Sequence, residues 1–174
     1  MLVPLFLDAQ HEPHAVFTRR RSDLRRHAGE ISFPGGRRDP EDETLANTAL
    51  REAEEEIGLP ASQVSVLGEL STTATFVTNY LIHPFVGLIP AGLTWRPSAA
   101  EVDAVLELSL SQLRAGRTRT QIERRGFTFE TDAYIVEQHL IWGATARIVD
   151  HLLERLQTTG PEGRPSLSER AVDR

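Results

Sequence analysis

The chain has 174 residues, a formal charge of −6 and no cysteine. That length suits one domain with a sizeable core, the missing cysteines exclude disulfides, thiolate metal sites and cysteine nucleophiles, and the net negative charge argues against broad electrostatic affinity for nucleic acid. No segment is apolar for long enough to span a membrane, and the apolar start Met1 to Leu7 has no basic stretch before it and stops at Asp8, so no signal peptide is expected and a cytoplasmic protein is the default.

Val3 to Leu7 reads as a strand, Asp8 to His14 as a turn with Pro13, and Ala15 to Thr18 as a second strand, a possible hairpin. An arginine-rich stretch follows. All 19 basic residues are arginine, and seven of them lie at 19, 20, 21, 25, 26, 37 and 38. Such clustering in an acidic chain suits a substrate with several phosphates, because guanidinium groups bind phosphate through paired hydrogen bonds. Arg20, Arg25 and Arg37 are the candidate substrate contacts; a solvated loop is the competing reading for any one of them. Glu30 to Phe33 reads as a short strand entering the turn Phe33-Pro34-Gly35-Gly36. At Gly35 and Gly36 the missing Cβ lets the backbone approach a ligand closely.

An acidic loop, Asp39-Pro40-Glu41-Asp42-Glu43, leads into a helix that ends near Gly58, with Asp42 or Thr44 as N-cap. Leu45, Ala46, Ala49, Leu50, Ala53 and Ile57 form its apolar stripe, and Glu52, Glu55 and Glu56 stack on the other side. Like charges repel there, and the helix macrodipole disfavours anions in its last turns. A hard divalent cation, Mg²⁺ or Mn²⁺, is the simplest compensation, with Glu52, Glu55 and Glu56 as candidate ligands. A solvated acidic face is the alternative.

Further on, Pro60 to Ser62 reads as a turn, Val64 to Leu70 as a strand, Ser71 to Thr78 as a hydroxyl-rich loop and Leu81 to Ile89 as a central strand made awkward by Pro84. Ala91 to Ala100 is a loop in which Trp95 forms a small local core or stacks on an adenine. Glu101-Val102 opens a strand-like run to Leu110, and Ser111 to Ala115 is a short helix or turn stopped by Gly116. Arg117 to Arg124 and Phe127 to Val136 form a hairpin around Arg125-Gly126. Ile141 to Leu156 is an amphipathic helix, and Thr158 to Arg174 a polar tail.

Gly36, Arg51-Glu52, Glu55-Glu56, Gly58 and Leu59 resemble the Nudix box, here residues 36–59. Ala53 is small where that pattern has a bulky residue. The stretch from Gly36 to Arg51 is one residue longer than usual, so Asp42 or Glu43 stands at the first glutamate. Upstream, Val16, Phe17, Thr18, Arg20, Arg25, Gly29 and Phe33-Pro34-Gly35-Gly36 resemble the signature of Nudix enzymes that cleave coenzyme A. Val16 and Phe17 replace two leucines and Arg21 replaces a small residue, and the longer loop is what that subfamily shows. Ile141-Trp142-Gly143-Ala144-Thr145-Ala146 resembles the start of its last helix.

The resemblance implies an α/β fold, the Nudix α/β/α sandwich, with a mixed sheet between helices and a loop–helix–loop box. It implies one domain over residues 1–157 and a tail over 158–174. It also implies Mg²⁺ or Mn²⁺ held by Glu52 and Glu56 with Glu55 in or beside the shell. Arg51 would orient a glutamate, and Glu55 or a downstream glutamate, Glu101 before Glu107, would act as base. The implied reaction splits coenzyme A into 4′-phosphopantetheine and 3′,5′-ADP, with Arg20 or Arg25 on the 3′-phosphate. The alternatives are another nucleoside diphosphate derivative (ADP-ribose, NADH, a dinucleoside polyphosphate) or a binding domain without turnover. The expected partner is a small molecule, with neither nucleic acid nor membrane; monomer and homodimer both stay open.

Overall fold

The computed structural model describes residues 1–24, 28–75, 80–124 and 126–158. Arg25, the hydroxyl run beyond Thr75, Arg125 at the hairpin turn and the tail from residue 159 lie outside the described residues.

Strand β1 (Leu2–Leu7) and strand β2 (Pro13–Arg20) form the expected antiparallel hairpin. Short β3 (Ile31–Ser32) follows, then helix α1 (Leu45–Ile57), a 3₁₀ turn (Ala61–Gln63) and β4 (Ser65–Glu69). Next come β5 (Thr73–Ala74), β6 (Leu81–Ile82), β7 (Phe85–Leu88) and β8 (Val102–Ser109). The C-terminal part contains α2 (Leu110–Gly116), β9 (Arg117–Arg124), β10 (Phe127–Val136), β11 (His139–Trp142) and α3 (Gly143–Thr158).

The central sheet runs β3-β2-β1-β7-β4, with β8 along the other edge of β2. It is mixed: β1 and β7 are parallel, Leu2 opposite Phe85, and the other pairs are antiparallel. Alternation along β1 sends Val3 and Leu5 to one core and Leu2 and Phe6 to the other. The first core is closed by α3 through Ile148, Val149 and Leu152. The second is closed by α1 through Ala49, Ala53 and Ile57, so helices cover both faces of the sheet. Phe33 stacks on Phe17 with ring centroids 4.4 Å apart, which anchors the start of the Gly35-Gly36 turn in the first core.

Three expectations are corrected. Leu81 to Ile89 is not one strand: the chain breaks at His83-Pro84, β6 pairs with β5, and only β7 enters the central sheet. Proline has no N–H to donate to a ladder, and here it separates two strands that belong to two sheets. The hydroxyl-rich stretch contains a strand, β5. Ile141 and Trp142 belong to β11, paired with Tyr134 and Ala133, and α3 starts only at Gly143, where φ is 67°. A strand of four residues, His139 to Trp142, is too short to show a period that distinguishes a strand end from a helix start.

Candidate active site

Helix α1 starts where Thr44 Oγ1 accepts a hydrogen bond from the Asn47 N–H at 3.1 Å. Thr44, not Asp42, is therefore the N-cap. The helix stops at Gly58, whose φ of 69° suits glycine and whose N–H meets the carbonyls of Ala53 and Glu54. The loop after β7 then supplies further donors: Arg96 N–H meets the Ile57 carbonyl at 3.0 Å and Ser98 N–H meets that of Glu56 at 2.8 Å. These bonds offset the unfavourable dipole under the acidic turns.

The three glutamates do not share one environment. Glu56 is 6% exposed and packs inward, where the periodicity placed an outward face. Its carboxylate accepts from the Gly35 N–H at 3.3 Å. Burial pushes its pKa up to about 7, the Gly35 N–H opposes this, and the charges of Glu101 and Glu52 add to the rise. Glu52 is partly buried and also raised, chiefly by burial, with Arg51 pulling the other way. Glu55 is exposed and points to Arg51 at 3.2 Å. Glu101 sits just before β8, where Arg20 pairs with Val102 and the Arg21 N–H donates to the Glu101 carbonyl at 3.0 Å. Its carboxylate meets Arg20 at 3.3 Å. Two distant segments thus bring Glu52, Glu56, Glu101 and Arg20 within each other's electrostatic reach.

Arg51 is a structural hub. It donates to both carboxylate oxygens of Asp42, at 3.1 and 3.0 Å, to Glu52 at 3.0 Å and to the Arg37 carbonyl at 3.0 Å. Asp42 is buried and held far below the usual carboxylate range, first by Arg51 and then by the Asp39 N–H. Arg38 donates to the carbonyls of Asp42 and Glu43 at 2.9 and 3.1 Å, which closes the acidic loop. Gly36 lies so close to the Glu52 carboxylate that a Cβ on it would overlap that group.

Residues 2–128 match the family description "NUDIX domain". The chain belongs to the Nudix family. It is 40% identical over 159 residues to the uncharacterized Nudix hydrolase NudL of Photorhabdus laumondii subsp. laumondii, covering 90% of this chain and 83% of that protein. The fold is similar to the Nudix hydrolase RenU of M. smegmatis, with a TM-score of 0.62, 19% identity and coverage of 91% and 84%. It is also similar to the NUDIX domain of Shewanella oneidensis NrtR, solved with ADP ribose, with a TM-score of 0.55, 14% identity and coverage of 89% and 86%. Both likenesses are at the level of the fold.

The residues of this Nudix box fit a hard divalent ion. Among the described residues no ion pair reaches the buried Glu56 carboxylate, Glu52 lies one turn before it on the same helix, and both offer oxygen donors. Among the described residues no three His, Asp or Glu side chains form an all-protein cage. Mg²⁺ suits such a site, since it takes one or two carboxylates and leaves the rest of its shell to water and phosphates.

A cavity of about 1340 Å³ opens beside the box. Gly35, Gly36, Arg37, Arg38 and Arg20 line one part of it, and β9, β10 and the start of α3 line another. Sequence reading missed its aromatic wall: Tyr80 under the Arg37 guanidinium at 4.8 Å, Trp142 under that of Arg124 at 5.0 Å, and exposed Phe127 and Phe129. Alternating exposed aromatics and arginines along β9 and β10 were the available signal. Trp95 and Glu107 bind each other at 2.7 Å, so Glu107 is engaged locally and Trp95 packs on the second core. No helix among the described residues is long and apolar enough to cross a membrane.

Proposed function

We propose that this Nudix hydrolase cleaves the pyrophosphate bond of coenzyme A or its derivatives, giving 4′-phosphopantetheine and 3′,5′-ADP. The observation that carries the reading is the meeting of Arg20, from the upstream signature, with the box in one cavity. Thr18, from the same signature, donates to the Ser32 carbonyl at 3.2 Å and so ties β2 to the strand that enters the Gly35-Gly36 turn. The cavity is large enough for an adenosine diphosphate moiety and more.

Glu52 and Glu56 are the proposed holders of Mg²⁺ or Mn²⁺, with Glu55 beside them through Arg51. When bound, the ion neutralises diphosphate charge and favours ionisation of water. Glu101 accepts the proton of the attacking water; Glu55, engaged by Arg51, is the second candidate. The water oxygen bonds to phosphorus, the bridging P–O bond breaks, and the leaving phosphate keeps the electron pair. Arg51 positions Glu52 and Glu55 and does not itself react. Arg20, Arg37 and the N–H groups of Gly35 and Gly36 bind phosphate oxygens, with Arg25 as a further contact from the signature. One domain over 1–157 in the cytoplasm is the proposed setting.

A substrate panel with Mg²⁺ and Mn²⁺, read out by product identity, tests this. Coenzyme A is expected to exceed ADP-ribose, NADH and dinucleoside polyphosphates in kcat/KM. ADP-ribose is the specific rival, because the NUDIX domain of NrtR was solved with it. A higher kcat/KM on ADP-ribose would replace coenzyme A with that substrate, and tight binding without turnover of any diphosphate would make the chain a binding domain.

A further inference from the structure

The rings of the three-stranded sheet have no role in the reaction above. Alternation along β10 puts Phe127, Phe129 and Ala133 on one face. Their register partners share that face: Arg124 and Ile122 on β9, and Trp142 on β11. Phe127, Phe129, Trp142 and Arg124 all line the large cavity that the Gly35-Gly36 turn also lines.

The Phe129 and Trp142 rings have centroids 6.1 Å apart and are inclined at 53°, so they make a corner and not a stack. The Arg124 guanidinium covers the Trp142 ring at 5.0 Å, and Glu30 holds that guanidinium at 2.6 Å. Phe129 is 41% exposed and Phe127 75%. Ring faces left in water are costly, and they are platforms for another planar π system.

Charge divides the cavity lining. The arginines of the ring part are balanced by carboxylates, Arg124 by Glu30 and Arg119 by Glu130 at 3.8 Å. Arg37, next to Gly36, forms no ion pair among the described residues and lies over the Tyr80 ring at 4.8 Å. An anion is therefore favoured beside the Gly35-Gly36 turn, and an uncharged planar group beside the rings. The aliphatic lining residues Leu45, Leu81 and Ile82 come from α1 and β6, not from this sheet.

We infer that Phe129 and Trp142, extended by Phe127, form a stacking subsite for the nucleobase of the substrate. A base offers a π face for the rings to cover and brings no charge to unbalance the neighbouring ion pairs. Stacking tolerates every base, so this subsite selects a planar ring and does not read its edge. The inference rests on the pyrophosphatase reading in taking the cavity as the substrate site; for coenzyme A the base is adenine.

Calorimetric titration of the 174-residue chain in Mg²⁺ buffer with 5′-AMP and with ribose 5-phosphate tests it, because the two differ in the base. 5′-AMP is expected to bind about tenfold more tightly. Phe129→Leu keeps an apolar side chain and removes the ring. It should bring the two affinities to within about twofold with ribose 5-phosphate unchanged, whereas Phe129→Tyr should keep the preference. Trp142 supplies a direct signal, since the only other tryptophan, Trp95, packs on the second core. In a Trp95→Phe chain 5′-AMP should quench the remaining emission and ribose 5-phosphate should not. Equal affinities in the unsubstituted chain would overturn the subsite. So would a preference that Phe129→Leu leaves intact, the result expected if an aliphatic arm fills the corner. Emission that responds to both ligands alike, or to neither, would also overturn it. A chain that keeps the base preference yet hydrolyses ADP-ribose faster than coenzyme A would sink the coenzyme A reading and leave the subsite standing. A coenzyme A hydrolase that binds 5′-AMP and ribose 5-phosphate equally would do the reverse.

Discussion

Arg51 grips Asp42 through both carboxylate oxygens, at 3.1 and 3.0 Å, across nine residues of chain. The pair fixes the guanidinium that also holds Glu52 and Glu55. Asp42, not its exposed neighbour Glu43, is therefore the acidic residue of this loop that holds Arg51. Asp42→Asn is expected to lower both Tm and kcat, because Arg51 loses its anchor. Glu43→Gln is expected to change neither. Thermal melts and steady-state rates on the two variants check this, and the opposite ranking would refute it.

Gly36 and the Glu52 carboxylate leave no room for a methyl group between them. The neighbour that must move is the end of a flexible side chain, so Gly36→Ala should cost little stability. Tm is expected to stay within a few degrees while Mn²⁺ affinity falls, because Glu52 is displaced. A variant with normal Mn²⁺ titration would show that Glu52 is not a ligand.

Glu56 gives the metal-free protein a defined pH dependence. Its folded value of about 7 lies above the ordinary 4.5, so the folded state holds a proton that the unfolded state has lost. Stability from this group is full below about pH 4.5 and is lost as the pH rises to about 7, by on the order of 3 kcal/mol. Urea unfolding of chelator-treated protein across that window should show the slope, and Glu56→Gln should remove it. The same variant should lose at least about 100-fold in rate, the upper end of what even outer-shell changes cost a metal site. Because metal displaces that proton, Mn²⁺ affinity should rise with pH up to about 7.

Glu101 and Glu55 compete for the role of base. Glu101→Gln is expected to lower kcat by about 10²- to 10⁴-fold with KM nearly unchanged, as steady-state rates would show. Glu55→Gln is expected to have the smaller effect, because its partner Arg51 keeps Asp42, Glu52 and the Arg37 carbonyl. The reverse order of effects would assign the base to Glu55.

Helix α1 was legible from its three-four spacing and its glycine stop, and the box from residues that lie close together in the chain. The β1–β2 and β9–β10 hairpins were legible for the same reason, since alternation and a turn signal are local. The break at Pro84 and the strand β11 were not, because a short segment carries no period and its sheet is chosen by partners elsewhere. Glu56 was placed on the wrong side because helical spacing says which residues share a face and not what covers it.

By itself the sequence determined the acidic helix, the glycine turn before it and the upstream arginines, since each depends on neighbours a few residues away. Only the tertiary structure decided that Asp42 holds Arg51, that Glu101 arrives beside Glu56 with β8, and that aromatic side chains and the mouth of α3 wall one cavity with the box. Those relations join segments up to about a hundred residues apart, and long-range pairing and burial, which create them, leave no periodic trace in the chain.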